Sequence, residues 1–388
     1  MKTQKTTGLL LALLLMAAGC RSSKEEVRVF DRKYLEVIRD ARKEAFFFLA
    51  RTSTPGSSIA VSVKGKTIWS EGFGMASTDL EVPATRYTKF RIGQVTQVLT
   101  ALCYQQMVEN GILHPDSAVQ TYLPGFPEKR EPLLLHHLAE HTSGIRPPTD
   151  AELFAKGYNV SLEKGLEIFS GDTLLFSPGM YQHASHYGYN LLGAAMEKAA
   201  GVSFPKVMKS WVTDTLGLEQ TVHDNPFITI QNRSNFYDYN LVAQVIHAPT
   251  LDLRSRMPAD GYLSTTEDLL KLGNALLMAP HPTKSVKEKM FTLPEVTGEY
   301  PPVWANGFLF VKEKNGNTLF VSRGMSTTSG AMLILDPEAG IVLAWLANLS
   351  DSGEEFPGLK IMNMFRDFTA GRYNRDETPG QEERKQLP

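Results

Sequence analysis

The chain has 388 residues, 42% hydrophobic and 21% charged, the composition of a globular protein able to bury a large core. Its 40 basic residues almost balance its 42 acidic ones, for a formal net charge of -2. That balance leaves no electrostatic footprint for nucleic acid, while small-molecule, peptide and protein ligands stay open.

The first twenty residues carry Lys2 and Lys5, an apolar run from Leu9 to Met16, and small residues before Cys20, which is the layout of an export signal. The run is too short to span a bilayer permanently. Because Ala17, Ala18 and Gly19 directly precede a cysteine, the segment resembles a bacterial lipobox. That resemblance implies cleavage ahead of Cys20 and lipidation of Cys20; a plain secretory signal is the alternative. On this reading 1–20 is a leader, 21–30 a polar tether, and the protein is lipid-anchored in the bacterial cell envelope, at the outer membrane, facing periplasm or surface. Cys103 is then the remaining cysteine, so no intramolecular disulfide is expected, and it reads as a small buried hydrophobe.

Tyr34, Val37, Ile38, Ala41, Ala45 and Leu49 recur at helical spacing and predict an amphipathic helix. Alternation on either side of Lys64-Gly65-Lys66 predicts a hairpin. From about 95 to 277 helical periodicity dominates, broken by Gly and Pro. The runs GFLFVKE, TLFVSRG, GAMLILD and IVLAWLANL then read as four strands, followed by a helix at about 356–369 and a charged tail, 372–388, whose composition predicts disorder. Strands at both ends with helices between predict an α/β (α+β) fold spanning 31–371. In it the N- and C-terminal segments share one antiparallel sheet flanked by helices, with an all-helical domain inserted at approximately 95–277. A cleft between the two parts is the natural ligand site.

Five stretches in order, FRIGQVTQVLTAL, LLLHHLAEHTSGI, GYNLLGAAMEKAAGVSF, ADGYLSTTEDLLKLGNALL and SGAMLILDPEAGIVLAWLAN, resemble the serine β-lactamase and penicillin-binding-protein-like family. The resemblance includes its class C-like, mitochondrial β-lactamase-like branch and covers about 55–348. It implies a β-lactamase/transpeptidase-like fold with three catalytic motifs at the cleft, and this sequence departs from all three. The Ser and Lys of the first motif, one helical turn apart, are Gln94 and Gln97. The Tyr-x-Asn-like triad falls on Ala184, Ser185 and His186. The edge-strand Lys-x-Gly falls on Ser322, Arg323 and Gly324, where the glycine alone is kept. A carboxamide has no useful pKa near neutrality and is no nucleophile.

Backbone donors survive such replacement. The N–H of Gln94 at a helix start and one near Ser326 would still form an anion site. The expectation is a pseudoenzyme, with no cofactor and no metal, whose cleft binds a small peptide-like or acidic ligand, or a cell-envelope protein. Its candidate contacts are Gln94, Gln97, Ser185, His186, Arg323 and Ser326. Two alternatives are an active hydrolase built on Ser185 and His186, and a structural lipoprotein whose cleft is filled by its own side chains. His137 and His141, four apart, raise a zinc reading, but no glutamate completes a His-Glu-x-x-His motif.

Overall fold

The structure, a computed structural model, describes residues 28–154, 161–313, 316–326, 328–349 and 356–374. Strand β1 (Val29–Phe30) leads to Asp31, whose carboxylate accepts the Lys33 N–H and starts the turn into helix α1 (Leu35–Thr52). Ser53, at φ 50, ends that helix in the left-handed region. Strands β2 (Gly56–Val63) and β3 (Lys66–Ser77) follow. Their two-residue connection, Lys64-Gly65, has φ of 49 and 80, the pair of positive values that matches the right-handed twist of a hairpin.

After helices α2 (Thr96–Glu109), α3 (His186–Ala200) and α4 (Thr266–Leu277), the chain returns to the sheet. Strands β4 (Trp304–Ala305), β5 (Phe308–Lys312), β6 (Thr318–Ser326), β7 (Ser329–Asp336) and β8 (Ile341–Ala347) precede helix α5 (Gly358–Thr369). The sheet order is β1-β3-β2-β8-β7-β6-β5-β4, antiparallel at every step. The N- and C-terminal segments therefore meet where β2 pairs with β8.

Strand alternation puts Ile59 and Val61 on one face and Ala60 on the other. The first face packs with Leu343 and Trp345 against Val37, Ile38 and Phe48 of α1 and Ile361 and Phe365 of α5. The second packs with Leu333 and Ala344 against Leu99 and Leu102 of α2 and Leu269 and Leu272 of α4. Each fully buried side chain of this size contributes about 1.5–3 kcal/mol, so both helical layers are held by the sheet between them.

Two boundaries need correction. Helix α4 lies within the expected insertion yet belongs to the sheet layer: Ser58 and Thr266 hydroxyls are 3.1 Å apart, Ser62 Oγ donates to Asn274 Oδ1 at 2.9 Å, and Gly273 rests on Val342. Nor is the span 95–277 purely helical. Val222–His223 and Tyr262–Ser264 form a small sheet with Phe90–Arg91, and Tyr237–Tyr239 pairs with Val245–His247. Strands of two or three residues have no alternation long enough to read. The leader, Cys20, residues 21–27 of the tether and residues 375–388 of the tail lie outside the described residues. Cys103 is fully buried, and burial pushes its thiol pKa far up.

Candidate functional site

The first turn of α2 is held between two glycines. A Cβ on Gly324 of β6 would lie 2.1 Å from the Ile92 carbonyl oxygen and 3.1 Å from the Gln94 nitrogen. On the other side Gly307, at φ 83 in the turn joining β4 and β5, would place a Cβ 2.6 Å from the Val98 nitrogen. No side chain fits at either place. Helix start, edge strand and turn are thus in backbone contact.

Strand β5 pairs with β6 from Lys312↔Thr318 to Leu309↔Val321. Beyond Val321, β6 pairs with β7 alone among the described residues. A cavity of about 450 Å3 wraps this open edge. It is lined by Gln94 and Gln97, by Ala184, Ser185 and His186 at the entry to α3, and by Ser322 and Arg323 of β6. Three segments remote in sequence therefore share one space. Gly324 is the clamp behind it. Ser326 ends β6 opposite Ser329, and its side chain lies outside the described residues.

Gln97 is buried, and its Oε1 is 3.1 Å from His141 Nε2. The Ser185 N–H donates to His141 Nδ1 at 3.3 Å. With Nδ1 accepting, the imidazole proton sits on Nε2 and is donated to Gln97, which fixes both the tautomer and the amide orientation. Burial first, then the neighbouring His186 and His183, hold the His141 pKa down at about 3, so the ring is neutral at pH 7. Gln97 is thus an amide accepting from a neutral histidine.

Ser185 caps α3. Its Oγ accepts from the Gly188 N–H at 3.3 Å and donates to the Arg146 carbonyl at 2.8 Å. The hydroxyl proton is committed to a backbone oxygen. His186, half-buried, has its pKa lowered by burial and by Arg256, while the Asp260 carboxylate opposes the shift. Arg256 and Asp260 form an ion pair with each other. Ala184 is exposed and brings only a methyl group. Arg323 is half-buried, with its Nε shielded from solvent and without a hydrogen-bond partner; Ser322 Oγ is buried and likewise unpartnered. Thr96 is fully buried on the helix.

The two histidines of the candidate zinc pair are engaged with other partners. His137 Nδ1 accepts the Leu134 N–H at 3.2 Å, and both His141 nitrogens are engaged. Among the described residues no group of three or more His, Cys, Asp or Glu could hold a metal ion.

Sequence reasoning missed two features. One is the apolar side of the cavity, formed by Leu309, Val311, Val321, Met332, Phe356 and Leu359; these read as core strand and helix residues. The other is Arg91, which is buried, donates to Asp224 Oδ2 at 2.6 Å and to Thr328 Oγ1 at 2.5 Å, and lies over the Phe236 ring at 4.1 Å. Ser329 Oγ donates to the Arg91 carbonyl at 3.1 Å. Arg91 thereby ties the strand before α2 to the β6–β7 turn. A buried charge of this kind carries no periodic signal.

The beta-lactamase family model matches residues 38–361. The mitochondrial serine beta-lactamase-like protein LACTB of Mus musculus is 28% identical over 321 residues, covering 63% of this chain and 58% of that protein. Protein flp of Staphylococcus aureus (strain NCTC 8325 / PS 47) is 25% identical over 309 residues, covering 78% of this chain and 61% of its own. The chain thus spans about three fifths of the length of these relatives. Among solved structures, the octameric penicillin-binding protein homologue from Pyrococcus abyssi superposes with a TM-score of 0.74 at 24% identity, covering 89% of this chain and 81% of that one. At that identity the likeness is one of fold.

Proposed function

The chain belongs to the beta-lactamase family, and from that premise we propose that it is a lipid-anchored member that has exchanged covalent catalysis for reversible binding of an acidic or peptide-like ligand in its cleft. The observation that carries this reading is the hydrogen bond from neutral His141 to Gln97. Acyl transfer of the family type needs a hydroxyl whose proton an adjacent base removes. Here the adjacent group is an acceptor already engaged, and the preceding position, Gln94, is also an amide.

Recognition remains feasible without that chemistry. Arg323 supplies a positive charge suited to a carboxylate, and the Gln94 N–H lies in the first turn before α2, where backbone donors favour anions. The cavity of about 450 Å3 falls within the volume range of small-molecule sites, about 300–1,000 Å3, which favours an occupant over a cleft filled by its own side chains. The rival reading, a hydrolase using Ser185 and His186, is disfavoured because the Ser185 proton is donated to Arg146 O and not to an imidazole. Lipidation at Cys20, and with it residence in the bacterial cell envelope, rests on the lipobox-like sequence.

The test combines turnover with binding. Purified protein should not hydrolyse a chromogenic cephalosporin above the buffer rate, while N-acetyl-D-alanyl-D-alanine or another short acidic peptide should raise the unfolding temperature. Saturable turnover would refute the reading, and so would a flat thermal response to every acid tried. Palmitate incorporation that persists in Cys20→Ala would remove the lipid anchor.

A further inference from the structure

We propose that the cleft is built for a long-chain acyl carboxylate, with the carboxylate held at Ser322 and Arg323 and the hydrocarbon tail lying along the apolar wall beyond the open edge of β6. The proposal rests on the reversible-binding reading and specifies its ligand class.

The cavity has two chemically different ends, and the strand edge explains why. Where β6 loses its β5 neighbour, residues from both faces of the strand reach the same space: Ser322 from one face, Val321 and Arg323 from the other. At the polar end stand two donors without acceptors. Ser322 Oγ is buried at 2% exposure with no partner, and Arg323 Nε is shielded with none. A buried donor left unmade is costly, and a carboxylate seated at the strand edge, where the two faces meet, offers acceptor oxygens to these donors. Among the described lining residues Arg323 is the one Lys, Arg, Asp or Glu, so none of their side-chain carboxylates competes for that place. His141 is neutral there as well.

At the other end the described lining side chains are apolar. Leu309 and Val311 of β5, Val321 of β6 and Met332 of β7 form one wall, closed by Phe356 and rimmed by Leu359. The Phe356 ring is fixed by stacking on Phe48, 4.9 Å between centroids, and by an edge contact with Trp345 at 5.7 Å. Leu359 is 38% exposed, so the trough reaches solvent past it. An extended peptide lying along this wall could pair only where it reaches the open edge of β6, and its remaining amide groups would be buried against hydrocarbon, an unfavourable exchange. A polymethylene chain has no such groups and gains from each methylene removed from water. Head and tail chemistry thus favour one amphipathic molecule.

The experiment is calorimetric titration of the full chain with hexanoate, octanoate, decanoate and dodecanoate. The matching primary alcohols and N-acetyl-D-alanyl-D-alanine are titrated in parallel. Affinity should rise about fourfold per added methylene until the trough is filled, and each carboxylate should bind at least tenfold more tightly than its alcohol. Arg323→Gln should erase the preference for carboxylate over alcohol. Leu359→Asp, at a partly exposed rim position with its folding checked by circular dichroism, should flatten the chain-length dependence. If the dipeptide binds while affinity is flat across the acids, the acyl proposal is overturned and reversible binding of an acidic ligand stands. If neither class binds, both fall. Wild-type affinity for dodecanoate in Arg323→Gln would overturn the placement of the head group.

Discussion

Replacing Asp224 by alanine should be among the most damaging single changes outside the hydrophobic core. Its carboxylate is fully buried and shared by two arginines: Arg91 Nε at 2.6 Å and Arg233 at 2.7 Å. Both guanidinium groups also stand over the Phe236 ring, at 4.1 and 5.5 Å. The alanine variant would leave the buried Arg91 cation without its counter-charge and facing a second cation. Removing one partner of a buried pair costs about 3–5 kcal/mol, because the survivor keeps its desolvation penalty. Arg91 also donates to Thr328, so the loosening should reach the β6–β7 turn and the cleft edge. Urea unfolding followed by circular dichroism should show a lower midpoint at unchanged slope. Arg233→Ala is the internal control: that side chain is 23% exposed, and Arg91 would keep its partner, so the loss should be about 1 kcal/mol. A loss below about 1 kcal/mol for Asp224→Ala, or equal losses for the two variants, would refute the reasoning that the network is dehydrated and centred on Asp224.

Gly324→Ala would press a methyl group against the Ile92 carbonyl, backbone against backbone, and should cost about 1–3 kcal/mol in thermal unfolding while separating β6 from α2. Burial holds His141 at a pKa of about 3 and His137 at about 4, against an ordinary 6.5. Between those values and 6.5 the unfolded chain takes up protons that the folded chain refuses. Stability present above about pH 6.5 should therefore fall as the medium is acidified, by up to about 1.4 kcal/mol per pH unit for each histidine. His141→Asn, a residue that accepts the φ of 60 at this position, should remove one histidine's share of that slope in urea titrations at pH 4 to 7. Gln94→Ser combined with Gln97→Lys should give no hydrolysis of a chromogenic cephalosporin above background, since Ala184, His186, Ser322 and Arg323 remain. A burst of acylation would show that the first pair alone suffices.

The legible parts of the fold were those with long runs of pattern. The α1 face from Tyr34 to Leu49 and the hairpin at Lys64-Gly65 could be read because period and turn chemistry are local. So could the four C-terminal strands. The convergence of Gln94, Gln97, Ser185, His186, Ser322 and Arg323 on one cavity was legible only through resemblance, since no local pattern links residues so far apart. The partner of Gln97 was not, because His141 lies 44 positions away and a side-chain hydrogen bond leaves no sequence trace. The apolar wall escaped notice for a different reason. Val321 and Met332 alternate like any core strand residues, and they face a cavity because β5 stops pairing with β6 at Val321. Pairing length is a property of the whole sheet.

The most direct measurement is covalent trapping on the wild-type chain. Incubate it with a fluorophosphonate and, separately, with a labelled penicillin, then record the intact mass. With amides at 94 and 97 and the Ser185 proton held by Arg146, the mass should be unchanged under both reagents. A stoichiometric adduct on any serine of the cavity, Ser185 or Ser322 above all, would mean that the site still makes an acyl-enzyme and would contradict the proposed loss of covalent chemistry.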